Sequence, residues 1–236
     1  MVDETDVGQE MKWFYEERAK AAVASLNRRN INAQYVPSRQ EALSAVIEMI
    51  PEGATVTRGD SITLEQIGVI EELRQSKQYK FNDPFARTED GHFVLDREPR
   101  FKMHREAFFA DVFLTGTNAV TLDGKLVSID ALGNRVAATI FGPEKVIVVA
   151  GANKIVNDVT EAIERVHQVA APINAQRHAL KHHHSEFGNL PCAKTGRCVN
   201  CNHEFKICLI TVIIEGTFAW VKGRINVVLV GEELGL

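Results

Sequence analysis

Residues 54–76 read ATVTRGDSITLEQIGVIEELRQS. The first five, Ala54–Arg58, form a short β-rich run. Gly59-Asp60-Ser61 interrupts it, and a segment rich in Leu, Ile and Glu follows to about Ser76. Strand, tight polar turn and helix in that order open a parallel α/β arrangement, because a helical crossover returns the chain to start the next parallel strand.

The flanking sequence extends the same alternation. Residues 9–30 carry Met11, Phe14, Tyr15, Ala19, Ala22, Val23 and Leu26 at spacings of three and four, which predicts a helix. A short strand over Ala33–Val36 comes next, then a helix opened by Ser38 with Glu41 three residues on, the pattern of a capping box. Residues 79–97 lack a clear period and read as a long loop, a kind of segment that often carries function; residues 100–109 read as helix. Downstream, Asp111–Gly116, Ala119–Leu122, Leu126–Asp130 and Lys145–Ala150 read as strands, and Ile155–Val169 as one long helix followed by another from Pro172. Residues 182–206 break the periodicity before two last strands, Cys208–Ile214 and Ile225–Val230. The fold class expected is α/β, a doubly wound, mostly parallel sheet with helices on both faces. One domain is expected over 1–236, with a helical N-terminal region (1–50) and a Cys/His-rich loop (182–208).

The chain has 236 residues, 45 % hydrophobic and 25 % charged, with a formal charge of −4. These values suit a soluble globular protein and exclude collagen, coiled coil or disorder as descriptions of the whole. A mildly acidic chain has no overall attraction to nucleic acid or anionic lipid. The acidic stretch Met1–Glu10 does not fit a secretory or transit signal. Apolar runs such as Val146–Ala150 fall far short of the ~20 residues that span a bilayer. The location expected is the cytoplasm, without nucleic-acid partners or membrane insertion.

Two turns are candidates for ligand binding. At Arg58, Gly59, Asp60, Ser61 and Thr63, a glycine turn feeds a helix start whose amides favour anions, with hydroxyls and a guanidinium at hand; the alternative is that Asp60 or Ser61 only caps the helix. The second is Thr115, Gly116, Thr117 and Asn118, followed by Asp123, Asp130, Gly133, Asn134 and Arg135. In open α/β sheets ligands bind at the carboxyl ends of strands. Asp123 or Asp130 is the candidate general base, and Arg135 or Arg58 the anion holder. Asp123-Gly124 and Gly133-Asn134 each have a plain turn reading as well.

All four cysteines fall in one segment, Cys192-x5-Cys198-x2-Cys201-x6-Cys208. Four thiolates there would hold an iron–sulfur cluster or a zinc ion, although the spacing matches neither common zinc ribbons nor standard ferredoxins. Reduced thiols or a Cys198/Cys201 redox pair are the alternatives. His178 and His182 would share a helix face, but His182-His183-His184 point in different directions and read as a solvated helix end.

Five segments together resemble the LUD family, the lactate-utilisation domain proteins formerly grouped as a domain of unknown function. They are DVFLTGTNAV (111–120), TLDGKLVSIDALGNRVAA (121–138), KVIVVAGANKIV (145–156), HHHSEFGNLPCAKTGRCVNC (182–201) and RINVVLVGEELGL (224–236). The resemblance implies a fold like that of the ribose-phosphate isomerase, glucosamine-phosphate deaminase and CoA-transferase superfamily. It also implies a place beside iron–sulfur subunits that oxidise lactate to pyruvate in the cytoplasm. The catalytic loops of the sugar-phosphate isomerases have no counterpart here, and fold alone does not supply a reaction.

Three functions follow as expectations. The first is an accessory or electron-transfer component that binds a small anion and holds a metal centre. The second is an enzyme acting on a phosphorylated or CoA-linked small molecule, and the third a structural zinc-bearing scaffold. Homo-oligomerisation stays open.

Overall fold

Residues 145–151, KVIVVAG, have no polar position after the first, so as a strand they need cover on both faces. The structure, a computed structural model, describes residues 4–236 and provides that cover. Its strands are β1 (Asn32–Val36), β2 (Thr55–Arg58), β3 (Lys80–Asn82), β4 (Val112–Gly116), β5 (Ala119–Thr121), β6 (Leu126–Asp130), β7 (Lys145–Gly151), β8 (Ile155–Val156), β9 (Ile210–Ile214) and β10 (Ile225–Val230). Its α-helices are α1 (Gly8–Arg28), α2 (Arg39–Glu48), α3 (Ile62–Gln66), α4 (Val69–Gln75), α5 (Arg97–Glu106), α6 (Asn134–Ile140), α7 (Val159–Arg165), α8 (Ala171–Lys181), α9 (Ser185–Gly188) and α10 (Pro191–Thr195).

Six strands form a sheet in the order β1-β10-β7-β4-β2-β3, and every pairing in it is parallel. A strand exposes alternate residues on opposite faces, so the apolar runs divide cleanly. Val112, Leu114, Ile147, Val149, Val228 and Val230 pack under α2, α3 and α4 through Val46, Leu64 and Ile70. Phe113, Val146, Val148, Val227 and Leu229 pack on the other face against Ala19, Ala22 and Leu26 of α1. Each fully buried Leu, Ile or Val contributes about 1.5–3 kcal/mol. The two-sided, doubly wound sheet expected from the sequence is the fold observed.

A second sheet, β8-β5-β6-β9, mixes antiparallel and parallel pairs. Val120 and Leu126 join it to the α1 side of the core. Three connections leave the carboxyl ends of neighbouring strands of the main sheet: residues 59–61 after β2, 117–118 after β4 and 152–154 after β7.

Several elements differ from the sequence reading. The helix expected to about Ser76 is broken at Gly68, whose φ of 83° places it between α3 and α4. Ile155 and Val156 pair with β5 as a strand, and the next helix starts only after Asp158, whose side chain accepts from the Glu161 amide. α7 then runs into α8 through a π-helical turn at Val166–Ala170. Pro172 has no N–H to donate to the carbonyl four residues back, and its ring crowds that carbonyl, which accounts for the wider turn. Residues 79–97 contain β3 and a bridge between Arg87 and Phe93, and residues 182–206 contain α9 and α10. Among the described residues, no helix is long and apolar enough to cross a membrane.

Candidate anion-binding site

Ser61 caps α3 by accepting from the Leu64 amide at 3.4 Å. Its hydroxyl lies against Gly116, where an added Cβ would come within 2.7 Å of Ser61 Oγ. Gly116 thus lets the β2 and β4 loops approach each other, and beside them opens a cavity of about 640 Å³. The 79–97 segment, α5, α8 and residues 204–209 complete its wall.

Four groups of polar side chains face this cavity. Asp60 takes two hydrogen bonds from Arg177 on α8, at 3.0 and 3.2 Å. Burial alone would raise the Asp60 carboxyl, but the charge and hydrogen bonds of Arg177, with His178 and Arg58, outweigh it and hold it at about 2. Asp130 ends β6: one carboxylate oxygen accepts from the Leu132 and Gly133 amides, and the other lies 3.2 Å from Arg135 Nε. Arg135 also donates to the Gly116 and Ile129 carbonyls and to Asn118.

Lys154, next in the wall, is only 5 % exposed. It donates to Thr63 Oγ1 at 3.1 Å and forms no ion pair among the described residues. Burial pushes its ammonium down to about 7, with the charges of Arg165 and Arg135 adding to the effect. The last group is cationic and aromatic. Arg87 and Arg100 both stack on Phe93, at 3.7 and 3.4 Å from its centroid. Arg87 Nη2 and Arg100 Nε are buried with no hydrogen-bond acceptor, and neither residue forms an ion pair among the described residues. Burial lowers the Arg87 guanidinium to about 10, which leaves it charged at neutral pH.

The cavity thus brings together Asp60, Ser61, Gly116, Thr117, Asn118, Asp130, Asn134, Arg135 and Cys208 from the sequence candidates. Others stand behind it or away from it. Arg58 is not an available anion holder: it is buried and spent on Asp83 and Glu65, both at 2.7 Å. That pairing ties the 79–97 segment to α3. Gly59 packs beneath Arg135 and Thr115. The Thr115 hydroxyl bonds the Gly116 carbonyl, and Gly133 caps α6. Thr63 reaches the site only through Lys154. Asp123, offered as a general base, lies outside the cavity on the β5–β6 turn beside Lys125 and Arg29. The backbone of α1 presses on Gly124 there, so Asp123-Gly124 has its plain turn role.

Sequence reading missed Arg87, Phe93, Arg100, Lys154 and Arg177. The first three lie in or next to the aperiodic 79–97 segment, whose length was the only signal. His182 is not at a solvated helix end; it is buried, its Nδ1 3.0 Å from His178 Nδ1. Burial lowers the His178 ring to about 4 and the His182 ring to about 3.

Of the four cysteines, Cys208 lines the cavity. All four are free thiols. Cys198 Sγ lies 3.5 Å from His167 Nδ1. Cys192 packs with Ala175 and Leu190, and Cys208 with Ile129 and Val166. Burial raises both thiols, and the neighbouring cysteines add to the effect, so the four lie within electrostatic reach of one another. The donor types fit an iron–sulfur cluster or a zinc ion. No group of three or more His, Cys, Asp or Glu side chains among the described residues is arranged to hold a metal ion.

The parallel sheet, covered on both faces and with a cation-rich chamber at its strand ends, places the chain in the doubly wound α/β class. The chain belongs to the LUD domain family, whose model matches residues 19–230. Among solved structures it is similar to a DUF162 family protein from Deinococcus radiodurans, with 15 % identity over 93 % of this chain and 98 % of that one and a TM-score of 0.49. It is more distantly similar to eIF2B delta from Chaetomium thermophilum, with 14 % identity over 64 % of this chain and 54 % of that one and a TM-score of 0.33. No curated protein matches it.

Proposed function

We propose that the cavity binds a small organic anion and that the chain serves as an accessory or electron-transfer component in the cytoplasmic oxidation of lactate to pyruvate. One observation carries the binding half: Arg87 and Arg100 each hold a buried N–H without an acceptor, on one aromatic ring at the wall of a chamber. Two stacked cations with unmet donors are stabilised by a shared carboxylate or phosphate. The family supplies the lactate half. In this reading the cysteine segment meets the iron–sulfur subunits of the same oxidation, or its four thiols, not so arranged among the described residues, would have to converge to hold an iron–sulfur cluster or zinc.

The size of the cavity, about 640 Å³, favours a second reading, because a three-carbon acid would leave most of it empty. In that reading the chain is an enzyme acting on a phosphorylated or CoA-linked molecule. Asp130 is its candidate base, and release from Arg135 would have to precede its use.

Thermal unfolding with lactate, pyruvate, sugar phosphates and CoA esters tests both readings. A ligand at a hundred times its Kd stabilises by about 2.7 kcal/mol, a readily visible rise in Tm. Arg87→Met and Arg100→Met should each reduce that rise. If none of these compounds shifts Tm at millimolar concentration, anion binding is refuted.

A further inference from the structure

Lys154 ends the turn of residues 152–154 that follows β7. Its one hydrogen bond goes to a neutral hydroxyl, no carboxylate offsets its charge among the described residues, and it lines the cavity. The chain closes tightly around it. An added Cβ on Gly235, whose φ is +71°, would come within 2.6 Å of Lys154 Nζ and 2.5 Å of Thr63 Oγ1. The amine is therefore held at one place in the wall, in a chamber that carries the unpaired Arg87 and Arg100. We propose that Lys154 is a nucleophile that condenses with the carbonyl carbon of a small anionic aldehyde or ketone.

The inference rests on the anion-binding reading of the cavity and goes beyond it by assigning a covalent step. The Lys154 nitrogen lone pair forms a C–N bond while the carbonyl π electrons move to oxygen, which takes up a proton. The resulting carbinolamine expels that oxygen as water, leaving an imine. No oxidant or reductant is needed, and hydrolysis reverses the step. Two features support it. Burial beside Arg165 and Arg135 keeps much of the amine unprotonated near neutral pH. The Thr63 hydroxyl, 3.1 Å away, stands where a proton could pass to the leaving oxygen.

The test is borohydride reduction of the whole protein with pyruvate, with ribose 5-phosphate in a parallel arm, followed by peptide mass mapping. The expected result is a stable adduct on Lys154, with the mass of the ligand minus water plus two hydrogens. It should be absent without ligand and absent from Lys154→Arg, and the arm that gives it identifies the anion. Modification spread over surface lysines with Lys154 untouched overturns the inference. So does a Tm shift by either compound without an adduct, which leaves the anion-binding reading intact. The absence of both shift and adduct overturns the inference, and the anion-binding reading as well once lactate and CoA esters also leave Tm unchanged.

Discussion

Replacing Lys154 by methionine should stabilise the protein at and below neutral pH, because the wild type confines a cation without a counter-charge. The ordinary lysine value of 10.5 falls to about 7 in the folded chain. At roughly 1.4 kcal/mol per pH unit, that fall corresponds to about 5 kcal/mol of proton-binding free energy. The group is depressed on folding, so between these two values the unfolded state binds the extra proton and wild-type stability rises with pH. Below about 7 both states are protonated and the penalty is complete. Methionine fills similar space, has no charge and gives up the hydrogen bond to Thr63, a loss of about 1 kcal/mol. The variant should therefore exceed the wild type by about 3–4 kcal/mol at about pH 6, and that lead should shrink by about 3 kcal/mol by about pH 9. Urea unfolding of both proteins at the two pH values measures it, and every other titrating group cancels in the comparison. A difference between the proteins that is the same at both values would refute the reasoning.

Other outcomes can be checked alongside. Arg177→Met strands the Asp60 carboxylate and should cost about 2–4 kcal/mol in urea unfolding. The depressed Asp60 carboxyl makes the wild-type advantage complete above its ordinary 3.8, and that advantage disappears as the pH falls through about 2, followed by circular dichroism. Gly116→Ala drives a methyl against Ser61 Oγ and should lower stability by about 1–3 kcal/mol. Adding Ser61→Ala removes that oxygen and should recover part of the loss despite forfeiting the α3 cap. A visible absorption band with bound iron after anaerobic purification is expected if the cysteines carry a cluster, and colourless protein with stoichiometric zinc if they carry zinc; metal-free protein from that preparation removes the metal centre from the proposed function.

The architecture was legible wherever apolar runs were continuous. Val146–Ala150 and Val227–Val230 could be satisfied only by a sheet covered on both sides, and Ser38 and Ser61 mark helix starts that the structure contains. The errors came where local chemistry overrode pattern. Ile155 and Val156 read as the start of a helix until their pairing with β5 is known, and Gly68 divides a segment whose apolar spacing suggested one helix. At the candidate site, the sequence pointed to the turns and to Arg135, which line the cavity, and to Arg58, which does not. Arg58 stands next to the glycine turn and is consumed by Asp83 and Glu65, whereas Arg87 arrives from a segment without periodicity and Arg100 from α5 beside it. Proximity in the chain favoured a guanidinium that is already spent, because which arginine has an acid partner is decided by tertiary packing.

The facing rings of His178 and His182 limit how protons can be arranged around the chamber. Their Nδ1 atoms are 3.0 Å apart, so one must carry hydrogen and the other must offer a lone pair. His178 Nε2 lies toward the Asp60 carboxylate at 3.9 Å, which favours hydrogen on that nitrogen and leaves its Nδ1 to accept from His182. With both imidazoles neutral at ordinary pH, the tautomer pair is locked, and a captured anion is balanced by the guanidinium groups and by Lys154 in its protonated form. The pair therefore adds no positive charge under mildly acidic conditions, and any tightening of the grip on an anion as the pH falls through about 7 should come from Lys154 and disappear in Lys154→Met.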